Sequence, residues 1–118
     1  MKVRPNRIAE EIKKELVQLI RSAVKDPRVD GLISITDVEV TRDLSYATVY
    51  ISKYGTAYAR QEALKGLEAS RGFLRSELSK RLKLRTVPEL IFKLDDSLEY
   101  GAKIEGLLQE INSGNQEE

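Results

Sequence analysis

The feature that most constrains the fold is an apolar stripe at helical spacing in the middle of the chain, which leads into a cationic segment and then a strand. Pro88 cannot continue a helix, and the residue before a proline is biased toward extended geometry. Residues 89–94 alternate apolar and polar side chains, as a half-buried strand does. The pattern predicts a long helical segment over about 58–84 and a strand over 89–94. The stripe consists of Ala63, Leu67, Ser70, Leu74, Leu78 and Leu82.

One amphipathic helix is predicted near the start of the chain. Apolar residues recur at helical spacing between residues 8 and 24, and Asn6 precedes them as a favoured N-cap residue. Pro27 cannot lie inside that helix, and Asp30-Gly31 is typical of a turn. We therefore predict a helix over 7–25.

A change of apolar period from 3.6 to two residues marks a β-hairpin after this turn. Residues 33–40 and 46–51 are rich in β-branched and aromatic side chains, and only 42–45 connect them. Thr36-Asp37 separates two alternating pairs that are out of phase, which predicts a β-bulge. The core-facing residues of the second strand are expected to be Ala47, Val49 and Ile51.

A last apolar stripe predicts a further helix after the third strand. Asp96 can cap this helix, because Glu99 follows at capping-box spacing. The order is then helix, strand, strand, interrupted helix, strand, helix, which predicts an α+β domain with a three-stranded sheet packed against helices. We assign residues 1–112 to this single domain and 113–118 to a short polar tail.

Composition argues against most kinds of active site. The 118 residues include neither Cys nor His, so thiolate nucleophiles, imidazole bases, disulfides and the usual zinc ligands are absent. We therefore expect no enzyme activity, no metal and no cofactor. No apolar run approaches the roughly 20 residues that a bilayer requires, and no apolar signal region follows the basic start. A cytoplasmic protein without membrane contacts is the expectation.

Charge is distributed unevenly, although the formal net charge is only +1. Residues 71–93 contain seven Lys or Arg against two Asp or Glu, residues 1–28 contain eight against four, and residues 94–118 contain one against seven. A basic face of a protein binds phosphate by charge and counterion release. The alternative interpretation, which a single run of charges would favour, is a helix face that is only solvated. Because two separate basic blocks accompany a broken helix, we favour RNA binding. The candidate residues are Arg4, Arg7, Lys13, Lys14, Arg71, Arg75, Lys80, Arg81, Lys83 and Arg85.

Small residues at 70–72 predict the break in the long helix. Gly66 and Gly72 each cost about 1 kcal/mol relative to alanine inside a helix. Ser70 and Gly72 would let an RNA backbone approach closely and would expose amide N–H groups that suit phosphate. The alternative is a helix that tolerates a glycine or needs it for close packing, and spacing does not decide between the two.

Two other groups of residues have weaker functional interpretations. Five tyrosines could stack on unpaired bases, namely Tyr46, Tyr50, Tyr54, Tyr58 and Tyr100. For Tyr46 and Tyr50, cross-strand packing is the better explanation. The carboxylates of Asp95 and Asp96 could serve a small enzyme or a ligand carrier, although Asp96 already suits a helix start. The acidic residues 94–118 could in addition dock a protein.

With this order of elements, the chain resembles the ribosome-binding factor A family over roughly residues 3–112. No single matching stretch is specific to the family. The order and spacing of all four stretches together are specific. The stretches are Arg4-Pro5-Asn6-Arg7-Ile8-Ala9-Glu10, Asp26-Pro27-Arg28, residues 35–44 and residues 72–90.

This resemblance implies a type II KH-like fold, in which an Ala-x-Gly helix–kink–helix replaces the Gly-x-x-Gly loop of ordinary KH domains. Ser70-Arg71-Gly72 matches that motif, with Ser in place of Ala. Without the Gly-x-x-Gly clamp on the RNA backbone, the protein would bind structured RNA by shape and charge. A general KH domain for single-stranded RNA is the alternative.

The resemblance also implies a role. The protein would bind the immature 30S small ribosomal subunit and its 16S rRNA, assist 16S rRNA processing and subunit maturation, and support growth in the cold. It would leave before translation begins, with help from an assembly GTPase in some bacteria. We expect it to act as a monomer.

Overall fold

The computed structural model describes residues 5–30 and 33–95. Arg4, the predicted helix after Asp96 and the predicted tail 113–118 lie outside the described residues. The elements of the described part follow the predicted order: α1 (Pro5–Ser22), β1 (Ile33–Val40), β2 (Tyr46–Lys53), α2 (Ala57–Ala69), α3 (Arg71–Arg81) and β3 (Glu89–Leu94).

Helix α1 is shifted toward the N-terminus relative to the prediction. It begins at Pro5, whose fixed φ and missing N–H suit the first turn of a helix. Asn6 therefore lies inside the helix, and its predicted N-cap role is wrong. At the other end, the Ala23 and Val24 N–H groups both donate to the Leu19 carbonyl, at 2.8 and 3.1 Å, so the regular helix stops before residue 25.

The sheet has the order β1-β2-β3, with β1 antiparallel and β3 parallel to β2. The register of the hairpin shifts between Ile35 and Asp37, which confirms the predicted bulge at Thr36. The α2–α3 segment crosses over the sheet between β2 and β3, and this crossover makes their pairing parallel.

One face of the sheet is covered by the helices and forms the core. Ala47, Val49 and Ile51 are fully buried there, as predicted. Four members of the predicted stripe in α2 and α3 are also fully buried, namely Ala63, Leu67, Leu74 and Leu78. The structure thus confirms the three-stranded sheet packed against helices.

Gly66 is required by close packing between α2 and the turn that follows α1. A Cβ atom at Gly66 would lie 2.8 Å from Val29 Cγ2 and 3.2 Å from Arg28 Cβ. The turn is held by Asp26, whose carboxylate accepts hydrogen bonds from the Arg28 backbone and guanidinium. These bonds lower the pKa of Asp26 to about 2. For Gly66, therefore, the packing interpretation is the right one.

Candidate nucleic-acid interface

The long helical segment breaks at a single residue, Ser70, between α2 and α3. Its backbone has φ −90° and ψ 2°, which lies in the sparsely populated bridge region. The Ser70 hydroxyl donates to the Gly66 carbonyl at 2.9 Å, and the Ser70 carbonyl accepts from the Leu74 N–H at 2.9 Å. The break predicted from the family motif is confirmed, and Ser fits because its hydroxyl caps a carbonyl at the end of α2.

Gly72 differs from Gly66 because nothing in the fold requires a glycine there. No heavy atom lies within 4 Å of the position that its Cβ would occupy, and its φ is outside the left-handed range. Gly72 is exposed in the first turn of α3. Packing therefore does not explain this glycine, whereas the close approach of a ligand backbone would.

Alanine substitution of the two glycines is expected to have opposite effects. Gly72→Ala should leave stability unchanged or raise it by up to about 1 kcal/mol, because alanine is the better helix former and meets no atom. Gly66→Ala should destabilise by about 1–2 kcal/mol, because overpacking against Val29 exceeds the helix-propensity gain. Urea denaturation measures both. A Gly72→Ala variant that is stable yet binds RNA several-fold more weakly would support close approach, and unchanged binding would contradict it.

On one flank of α3, Arg75 has a structural role. Its Nε and Nη2 atoms donate to the Val87 carbonyl at 3.3 and 3.0 Å, so this side chain anchors loop 82–88 to the helix. Arg71 lies one turn earlier on the same flank, is half-buried, and makes no hydrogen bond or ion pair with another described residue. Of the two predicted RNA contacts, Arg71 is the one that makes no hydrogen bond within the described fold.

On the other flank of α3, the two basic residues at its C-terminal end form ion pairs with carboxylates. Arg81 Nη1 lies 3.2 Å from Glu15 Oε2 in α1, and Arg81 Nε lies 4.0 Å from Glu77 Oε2. Lys80 Nζ lies 3.7 Å from Glu77 Oε1, but 68% of the Lys80 side chain is exposed. Arg81 thus joins α3 to α1, while Lys80 keeps its ammonium in solvent.

Loop 82–88 carries the most available positive charge. Lys83 and Arg85 are both exposed, and neither forms a hydrogen bond or ion pair with any other residue that the structure describes. The anchor from Arg75 to Val87 fixes the path of the loop beside them. Unpaired cations on a fixed loop can bind phosphate without first giving up an internal partner.

The predicted residues of α1 do not form one patch. Arg7 is exposed and lies 3.8 Å from Glu11, and Lys14 is exposed without a partner within the described ranges. Lys13 donates to the Thr36 carbonyl of β1 at 3.5 Å. At 100° per residue, Lys13 and Glu15 lie on opposite flanks of α1, so Lys13 points away from α3.

Gly72, the basic residues of α3 and loop 82–88 that form no hydrogen bond or ion pair with another described residue, and the exposed Lys80 define what we call the α3 surface. Within it, Gly72 and Lys80 share the outward face of α3, and Ser76 lies between them at four-residue spacing. Sequence reasoning missed Phe73, which is 44% exposed beside the break. Phe73 is an apolar residue that does not belong to the buried stripe, and this was the sequence signal that could have identified it. The α3 surface comprises Arg71, Gly72, Lys80, Lys83 and Arg85.

Tyr50 and Asp95 have internal hydrogen-bond partners, whereas Tyr46, Tyr54 and Tyr58 are exposed. The Tyr50 hydroxyl donates to Glu39 Oε2 at 3.3 Å, which fits cross-strand packing, and partial burial together with the Glu39 charge raises the pKa of Tyr50. The Asp95 carboxylate is hydrogen-bonded to Thr36 Oγ1. Among residues 5–30 and 33–95, no group of three potential metal ligands occurs. Asp96 lies outside the described residues.

A family model described as ribosome-binding factor A matches residues 4–108. The chain belongs to the ribosome-binding factor A family. A relative of that name from Desulforamulus reducens is 56% identical over 113 residues, covering 96% of this chain and 93% of its own length. One from Caldanaerobacter subterraneus is 48% identical over 112 residues, covering 95% and 92%.

Solved structures of the family agree with this fold. The crystal structure of ribosome-binding factor A from Thermus thermophilus is 26% identical and covers 76% of this chain and 93% of its own, with a TM-score of 0.68. A homology model of the Thermus thermophilus factor, fitted into the cryo-EM map of a complex with the 30S subunit, is 25% identical and covers 78% of this chain and 96% of its own, with a TM-score of 0.65. None of the described helices is long and apolar enough to cross a membrane.

Proposed function

We propose that this protein binds the immature 30S small ribosomal subunit through its α3 surface and assists 16S rRNA processing and subunit maturation. The observation that carries the proposal is the pair of unpaired cations, Lys83 and Arg85, on a loop that Arg75 anchors to α3. The family supports the choice of partner, because a member has been fitted into a 30S complex.

The surface favours structured RNA over a single strand. An ordinary KH domain clamps four nucleotides of backbone with its Gly-x-x-Gly loop, whereas here a single-residue break separates α2 from α3. The available contacts are charges and an open backbone, which suit phosphates of a folded RNA. Binding to single-stranded RNA in general is the second candidate, favoured by the exposed aromatic rings of Tyr46, Tyr54, Tyr58 and Phe73.

Several further properties belong to the same proposal. The protein would act by holding an rRNA conformation rather than by catalysis, since its available groups are Lys and Arg side chains. It would work in the cytoplasm as a monomer, with residues 1–112 as one domain, and an assembly GTPase would aid its release.

Co-sedimentation with immature small subunits across a salt series tests the proposal. We expect binding to weaken steeply between 50 and 200 mM salt, as phosphate contacts require. A short unstructured oligonucleotide in excess should not displace the protein from the subunit. Efficient displacement would favour the single-strand alternative, and binding that is indifferent to salt would contradict the α3 surface as the contact.

A further inference from the structure

The hairpin turn between β1 and β2 presents one arginine at the same end of the sheet as loop 82–88. In this parallel pairing Tyr46 of β2 lies opposite Glu89, the first residue of β3, and the Glu89 N–H donates to the Ser45 carbonyl at 2.9 Å. Residues 41–45 therefore lie against the point where loop 82–88 enters the sheet. Arg42 belongs to residues 29–70, which contain four Lys or Arg against six Asp or Glu, and the fold brings it to the end of the sheet where loop 82–88 enters.

The turn holds its shape through internal hydrogen bonds that leave Arg42 out. The Thr41 carbonyl accepts from the Leu44 N–H at 2.9 Å. The Asp43 carboxylate accepts from the Thr41 hydroxyl at 2.8 Å and from the Ser45 N–H at 3.1 Å. The Asp43 carboxylate is thus hydrogen-bonded by groups of the turn itself. Arg42 is exposed and bonds to no other described residue.

Leu44 shows that this turn is held in a costly conformation. Its φ of 62° lies in the left-handed region, which costs a residue with a side chain on the order of 1–2 kcal/mol. Leu44 is half-buried and packs against the core, so its side chain anchors the turn in this shape. Strain of this kind persists where the surroundings fix it, and it is frequent in functional segments.

We propose that Arg42 is a further RNA contact, which binds a phosphate of the same folded rRNA that rests on the α3 surface. This inference rests on the proposed function and extends the site to the hairpin turn. Two of the carboxylates at this end have internal partners, because Asp43 accepts from the Thr41 hydroxyl and the Ser45 N–H and Glu39 accepts from the Tyr50 hydroxyl. Lys83, Arg85 and Arg42, in contrast, bond to no other described residue. A folded RNA that reaches from loop 82–88 to the turn would gain one charge-assisted contact there.

Arg42→Gln and Arg42→Lys test the inference, with Arg21→Gln as a matched control. Arg21 is exposed in the last turn of α1, beside the start of β1 at the opposite end of the sheet. We expect Arg42→Gln to weaken binding to protein-free 16S rRNA about three- to tenfold near 0.1 M salt. It should reduce the slope of log K against log salt by about 0.7–0.9, the value of one phosphate contact. Arg42→Lys should keep the slope, and Arg21→Gln should match wild type.

The outcomes separate this inference from the proposed function. If Lys83→Gln/Arg85→Gln weakens binding but Arg42→Gln behaves like Arg21→Gln, the inference is overturned and the α3 surface stands. If neither variant weakens binding, both fail. If Arg42→Gln weakens binding to intact subunits but not to protein-free rRNA, its partner is a ribosomal protein and the inference is again overturned. Unfolding curves that match wild type establish that each variant is folded.

Discussion

Replacing Lys83 and Arg85 together by glutamate is expected to lower the affinity for the small ribosomal subunit about 100-fold, or about 2.7 kcal/mol. Both side chains are exposed and unpaired within the described structure, so each can contact a phosphate, and each reversal exchanges an attraction for a repulsion. The affinity loss should shrink as salt rises, because screening weakens both effects. A filter-binding or sedimentation series at several salt concentrations measures it.

The matched control reverses two other exposed cations, Arg21 and Lys25 near the end of α1. Arg21→Glu/Lys25→Glu changes the net charge by the same amount but lies near the opposite end of the sheet. We expect it to lower affinity only a few-fold. If both double variants lose affinity equally, binding responds to overall charge alone, and loop 82–88 is not a specific contact.

Leu78→Ala is expected to destabilise the protein by about 3 kcal/mol, the largest effect on folding that we predict. Leu78 is fully buried one turn after Leu74, and these two leucines fasten α3 to the core. A cavity beneath α3 would also loosen the helix that carries the proposed RNA contacts. Because domains of this size have only about 5–15 kcal/mol of stability, the loss should be plain in a urea or guanidinium titration.

Ser76→Ala provides the control for Leu78→Ala, since Ser76 is exposed on the outward face of the same helix. It should change stability by less than about 0.5 kcal/mol. A small effect of Leu78→Ala, similar to that of Ser76→Ala, would mean that α3 is not held by its buried stripe.

Much of the fold is predictable because apolar spacing reports directly on burial. The stripe through Leu67, Leu74 and Leu78, the alternation in the hairpin and the phase shift at Thr36 all have local signatures. Helix ends are less predictable, because Asn6 and Pro5 are both good residues for a helix start, and only the helix geometry decides between them.

The contacts that the candidate basic residues make within the fold were not predictable from the sequence. Sequence spacing indicated a basic helix end, yet it could not show that Arg81 pairs with Glu15, which lies 66 residues earlier in the chain. Nor could it show that Arg75 bonds a backbone carbonyl instead of offering its guanidinium to RNA. Arg42 shows the converse, because only the parallel pairing of β2 and β3 brings the hairpin turn to the basic loop.

Tethered hydroxyl-radical probing tests whether the α3 surface lies against the rRNA of the small subunit. Because the chain contains no cysteine, Ser76→Cys and Ser34→Cys each introduce a single thiol for an iron chelate. Ser76 lies on the outward face of α3, and Ser34 is exposed at the other end of the sheet. We expect strong, localised cleavage of 16S rRNA from position 76 and weak cleavage from position 34. Strong cleavage from position 34 with none from position 76 would show that the α3 surface does not lie against the rRNA.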